Sequence, residues 1–142
     1  MEVLPGFLAY GEESSLPSRS VIYNVGDPVG DKPVYYLIAG LIKVEYPMGD
    51  STFPLWVHPD SIFGLVEPLA DSTRLCVVQT MERTILYRWD MESFFMAAGV
   101  SWELAMVATT GMTRELRIMN AEFGLRLGVL EASRHTEEGG AR

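Results

Sequence analysis

Along the first ninety residues the apolar positions come in short runs split by turn-forming clusters, and after Asp90 they recur at helical spacing. Arg19–Val25 (RSVIYNV), Val34–Ile38 (VYYLI), Leu41–Tyr46 (LIKVEY), Thr52–His58 (TFPLWVH) and Arg83–Trp89 (RTILYRW) are rich in β-branched and aromatic residues and read as strands. Between them GDPVGDKP and PMGDS gather Gly, Pro and Asp, which fix φ or bond their own backbone and so close turns. Ala39–Gly40 reads as the turn of a hairpin joining the second and third runs. Within the third, Lys43 and Glu45 alternate with Ile42, Val44 and Tyr46, so one face is wet. Pro54 places its run at an edge or a bulge, because proline cannot donate to a ladder. Met1–Tyr10 reads as a short apolar segment with a single helical turn, and GEESSLPS as a polar connector. Eight or so short strands at this spacing predict a mainly β fold, an antiparallel double-layered β-roll of the jelly-roll kind.

From Asp90 onward the pattern predicts helices. Asp90 is an N-cap for MESFFMAA, which Gly99 ends, and Ser101 caps a second helix whose first turn holds Glu103, where the dipole favours an anion. Ala105, Thr109, Met112, Leu116, Met119, Phe123, Leu127 and Leu130 follow close to a heptad seam, which predicts pairing with a second copy through Met112, Leu116, Met119 and Phe123. The opposite side, with Trp102, Met106 and Ile118, is expected on the β layer. Gly111, Gly124 and Gly128 each weaken the helix by about 1 kcal/mol relative to Ala, and Gly124 is a candidate bend. The expected organisation is a β-roll with short flanking helices over 1–100, a long dimerisation helix over 101–135 packing on the same domain, and a disordered polar tail over 136–142.

Charge and composition narrow the functions. The chain has 142 residues, enough for one domain with a core, and a net charge of −8, which argues against a nucleic-acid face. One cysteine, Cys76, excludes a disulfide framework and any cysteine-built cluster within one chain, and it reads as a small buried apolar residue. With only His58 and His135, three imidazoles cannot converge on a metal, and no nucleophile–base arrangement is readable, so the expectation is a protein that is not an enzyme. The N-terminus has no basic region ahead of its apolar run and no stretch is long enough to cross a bilayer, which predicts a cytoplasmic protein without membrane contact.

The candidate chemistry lies in Ser61–Thr80, SIFGLVEPLADSTRLCVVQT, which reads as a strand, a tight loop and a strand. Gly64 interrupts the first apolar run, a mark of a bulge or of close backbone approach. Arg74 stands at the end of the loop. A guanidinium beside a Gly-opened loop of free N–H groups suits a phosphate or carboxylate. The same Arg also suits an internal ion pair with Glu67 or Asp71, and the sequence leaves both readings open.

With these elements in order, the chain resembles the sensor half of the Crp/Fnr regulators, the cyclic-nucleotide-binding domain, over roughly Arg19 to Ser133. NVGDPVGDKPVYYLIAGLIKV (Asn24–Val44) is similar to the family's opening turn and strands, and PDSIFG (Pro59–Gly64) to the approach to its phosphate-binding cassette. Arg74 stands ten residues after Gly64, where the family carries its phosphate-binding Arg, and MTRELRIMN (Met112–Asn120) resembles the middle of the dimerisation helix. The resemblance implies a homodimeric sensor whose effector is a cyclic nucleotide or similar anion, touching Gly64, Leu65, Glu67, Arg74, Leu75, Cys76 and Asn120, with no other cofactor. It also implies departures. Leu65 stands where cyclic-AMP-binding members have the ribose-binding Glu, and Leu75 and Cys76 where they have Ser or Thr and then Ala; Glu67 is the nearest substitute for the first. Family regulators continue past the long helix into a helix-turn-helix domain, of which GLRLGVLEAS (Gly124–Ser133) resembles only the start, so the expectation is a sensor domain without direct nucleic-acid binding. Its wider range includes haem sensors, for which Cys76 or His58 is the candidate ligand.

Overall fold

The computed structural model describes residues 6–113 and Arg117. Two compact units divide the chain, Met1–Gly111 and Met112–Arg142. In the second, Met112, Thr113 and Arg117 are helical. Leu116, Ile118, Met119, Asn120, Phe123 and the expected tail over 136–142 lie outside the described residues, so the fold below is that of the first unit.

Among the described residues eight strands form two antiparallel sheets: β1 (Glu12–Leu16), β2 (Val21–Tyr23), β3 (Val34–Ala39), β4 (Ile42–Met48), β5 (Ser51–Val57), β6 (Ser61–Phe63), β7 (Val77–Thr80) and β8 (Thr84–Trp89). One sheet has the order β1-β8-β3-β6 and the other β2-β7-β4-β5. This is the double-layered β-roll that the turn spacing predicts. Three local readings are corrected. The GEESSLPS connector contains β1, whose Glu12 to Leu16 pair with Arg88 to Thr84; pairing to β8 makes a strand of residues that lack β-branched or aromatic character. Secondly, β3 and β4 are not a hairpin but enter different sheets, the chain crossing at Gly40, whose φ of +114° only glycine adopts without strain. Thirdly, the run after Gly64 is not strand: Val66–Leu69 form a one-turn helix, α1, in which Pro68 is tolerated because first-turn N–H groups have no helical partner. Pro54 is on an edge strand, as its missing N–H requires.

Alternation along β4 buries Ile42, Val44, Tyr46 and Met48 on one face. In β3 all of Val34–Leu37 are buried, because both faces are covered. On one, Tyr35 stacks on Phe63 at 4.9 Å and lies 6.1 Å from Tyr23 of the other sheet. On the other, Tyr36 and Trp89 meet Phe7 of the 3-10 turn Gly6–Tyr10 and Phe94 of helix α2 (Met91–Val100), with ring centroids 5.3–6.4 Å apart. Asp90 caps α2 as expected, accepting from the Ser93 N–H at 2.6 Å. The helix runs through Gly99 to Val100 instead of stopping there. Ser101 caps the next helical stretch, residues 102–113, its Oγ accepting from the Leu104 N–H at 3.2 Å.

The face of that stretch is shifted from expectation. Trp102 and Met106 are 79% and 45% exposed, whereas Leu104 and Ala108 are buried at 0% and 5%. Leu104 and Ala108, four apart, form the stripe that docks. Leu104→Ala should therefore destabilise by about 2–5 kcal/mol, and Trp102→Ala by no more than about 0.5 kcal/mol, in urea unfolding. A second expectation concerns acid. The Ser93 bonds hold the Asp90 carboxyl below its ordinary 3.8. A depressed carboxyl contributes stability above its unfolded pKa and loses it as pH falls through the folded value. Asp90→Asn keeps a cap but cannot titrate. Its stability, measured by urea unfolding from neutral pH to below 3.8, should fall less steeply than that of the wild type.

Candidate functional site

Arg74 lies between the two sheets with 1% exposure. Its backbone is clamped to the loop after β2: the N–H donates to the Asp27 carbonyl at 2.9 Å and the carbonyl accepts from Gly26 at 2.8 Å. Its side chain turns toward the other sheet. Nη2 donates to the Pro33 carbonyl just before β3 at 2.8 Å, and Nη1 donates to the Gly64 carbonyl just after β6 at 2.8 Å. Nη1 also lies 3.3 Å from Glu67 Oε1, and the guanidinium carbon sits 4.0 Å from the centre of the Tyr23 ring. Nε has no hydrogen-bond partner among the described residues. A cation so far from water needs this company, since an unpaired buried charge is strongly destabilising.

Glu67, 4% exposed, is the counter-ion. Its Oε2 accepts from the Leu75 N–H at 3.3 Å and from the Cys76 thiol at 3.7 Å, so one carboxylate takes donors from three consecutive residues, 74 to 76. Burial and then the Glu67 charge push the Cys76 thiol up to about 12, which keeps it protonated and able to donate at neutral pH. Helix α1 presents Glu67 to this cluster and is tied down by the Ser72 N–H, which donates to the Glu67 carbonyl at 2.9 Å. Gly64 has a φ of +85°, and a Cβ there would fall 2.4 Å from the Pro33 carbonyl oxygen and 3.2 Å from Arg74 Nη1. No side chain fits this approach.

Of the two readings the sequence leaves open, the structure contains the internal pair, and with Glu67 rather than Asp71, which is exposed with φ +53°. The expected hollow of free N–H groups facing Arg74 is corrected accordingly: its neighbours are carbonyls and a carboxylate. Gly64, Glu67, Arg74, Leu75 and Cys76 do come together. Glu67 is turned inward to Arg74 rather than outward to stand in for the ribose acceptor. Leu65 is buried, and the Leu75 side chain is 42% exposed while its N–H serves the cluster. Asn120 lies outside the described residues. The sequence reading missed Pro33 and Tyr23; a carbonyl 41 residues from Arg74 leaves no local signal. His58 is exposed beyond the end of β5.

No family model matches the chain, and no curated protein matches it. Solved structures do. The catabolite activator protein of Thermus thermophilus is similar at 21% identity and a TM-score of 0.68, over 84% of this chain and 56% of that one, so this chain spans just over half its length. A transcriptional regulator from Thermotoga maritima is similar at 16% identity and a TM-score of 0.67, over 82% of this chain and 92% of that one. The heme domain of CooA from Carboxydothermus hydrogenoformans is similar at 16% identity and a TM-score of 0.65, over 87% and 89%. With two four-stranded antiparallel sheets and these likenesses together, the chain has the fold of the Crp/Fnr-type sensor domains, the β-roll of cyclic-nucleotide-binding domains.

Proposed function

We propose that the chain is a non-catalytic regulatory domain that uses this sensor fold with its cassette held shut by its own carboxylate, and that it acts through pairing of its C-terminal helix with a second copy. One observation carries the reading: Arg74, the group an effector phosphate needs, is 1% exposed and already bonded to Gly64, Pro33 and Glu67. A cyclic nucleotide must first separate Glu67 from Arg74. Separating them takes a buried carboxylate out of its bonds, and that cost is subtracted from the nucleotide's binding free energy at about tenfold in affinity for each 1.4 kcal/mol. The non-catalytic part of the reading is supported by the enclosed Cys76 thiol, which burial and the Glu67 charge keep protonated and therefore a poor nucleophile.

A second reading, a sensor for an anionic effector such as a cyclic nucleotide, is favoured by the unpartnered Nε of Arg74, a donor that Glu67 leaves unsatisfied. In that case the effector shifts the helices by its differential affinity for two arrangements.

Calorimetric titration separates the two readings. With cyclic AMP, cyclic GMP or cyclic di-GMP up to high micromolar concentration, the wild-type chain should give no saturable heat. A stoichiometric, saturating signal from any of them replaces the first reading by the second. Pairing is tested independently: Met112→Asp, Leu116→Asp and Met119→Asp should each sediment as monomers where the wild type sediments as a dimer, and a dimer that persists through all three removes the seam.

A further inference from the structure

The donors around Glu67 carry a more specific conclusion, which rests on the closed cassette argued above. Arg74 Nη1, the Leu75 N–H and the Cys76 thiol come from three successive residues and converge on two oxygens of one side chain. All three are donors, one is cationic, and the acceptor is attached to a different element, α1. Three donors around one oxyanion are the arrangement by which proteins bind free carboxylates and phosphates. The bonds to Glu67 are long for charge-assisted contacts, at 3.3 Å from Nη1 and from the Leu75 nitrogen. The guanidinium also keeps one N–H over, since Nε is buried without an acceptor among the described residues. Glu67 thus occupies the cluster without saturating it.

We propose that Glu67 is a built-in occupant of an oxyanion site made by Arg74, Leu75 and Cys76, an autoinhibitory contact whose removal turns this closed domain into a receptor for a small free oxyanion. The physical reason is the asymmetry of buried ion pairs. Deleting the carboxylate leaves an enclosed cation without its counter-ion and takes the acceptor from the Leu75 N–H and the Cys76 thiol, and a free anion restores what is missing. Shortening Glu67 to Ala also vacates the volume of a carboxylate and one methylene, which is the size of acetate. The Tyr23 ring, 4.0 Å from the guanidinium, holds Arg74 in place when its counter-ion is gone.

The test uses the full chain as wild type, Glu67→Ala, and the double variant Glu67→Ala/Arg74→Lys, melted in chloride buffer with rising sodium acetate or inorganic phosphate. Glu67→Ala should melt below the wild type. Acetate should raise its midpoint saturably, as mass action on the folded state requires, while wild type and double variant respond only to ionic strength. A response to phosphate larger than to acetate assigns the site to phosphoryl groups, and the reverse assigns it to carboxylates; either supports the occupant role. A folded Glu67→Ala with no saturable response to either anion overturns it, as does a wild type that responds equally. Should Glu67→Ala not fold in chloride, its refolding yield from urea is compared with and without acetate and phosphate. Recovery by either anion supports the proposal and failure with both overturns it. That failure leaves the closed-cassette reading standing, whereas calorimetric binding of a cyclic nucleotide by the wild type removes that reading whatever the variants do.

Discussion

A guanidinium buried between two β-sheets must be neutralised and given acceptors, and the loops of this domain are arranged around that requirement. Through its backbone Arg74 holds the loop after β2, at Gly26 and Asp27. Through its side chain it holds the residue before β3, Pro33, and the residue after β6, Gly64. The first loop belongs to one sheet and the other two segments to its partner sheet. One side chain therefore staples the two layers at one end of the roll, where strands stop and carbonyls would otherwise be left without donors. Glu67 completes the staple by matching the charge.

The staple explains the backbone geometry beside it. For the Gly64 carbonyl to face Nη1 while the chain passes the Pro33 carbonyl, the backbone must take a positive φ with no Cβ in the way. Glycine is required twice over, by conformation and by space. The turn of α1 follows at once and carries Glu67 back to within reach of Arg74, seven residues further along. Loop, glycine and ion pair are thus one construction, and its parts are not independently replaceable.

How much of this the sequence reveals follows from how local each cause is. The strands β2 to β8 are visible because β-branched and aromatic runs punctuated by Gly, Pro and Asp report short-range preferences. The caps Asp90 and Ser101 are visible because the bond each makes lies within three residues. Strand β1 is not, because only its pairing with β8, more than sixty residues away, makes EESSL extended. Nor is the crossing of β3 and β4 into different sheets, since a Gly turn looks the same whether it closes a hairpin or changes layers. The helical stretch 102–113 is predicted with the wrong face inward. Trp102 and Met106 are larger and more apolar than Ala108, but burial follows position on the helix, and Leu104 with Ala108 is the buried stripe. At the site, Gly64 and Arg74 stand out by type and spacing. That Arg74 meets its own acid follows from α1, a single helical turn inside a stretch whose Pro68, Asp71, Ser72 and Thr73 read as a loop.

Cys76 shows why the cluster settles into one charge state. A thiolate there would sit beside the Glu67 carboxylate with a single guanidinium to offset two anions, and burial opposes ionisation further, so the thiol titrates only near about 12. The protonated thiol instead gives Glu67 a third donor. At neutral pH the enclosed cluster holds one cation and one anion, with the remaining groups neutral, which is the composition a low-dielectric interior tolerates. An oxyanion that entered without displacing Glu67 would put two negative charges against one guanidinium. The internal carboxylate and an external oxyanion would therefore exclude each other by charge as well as by volume.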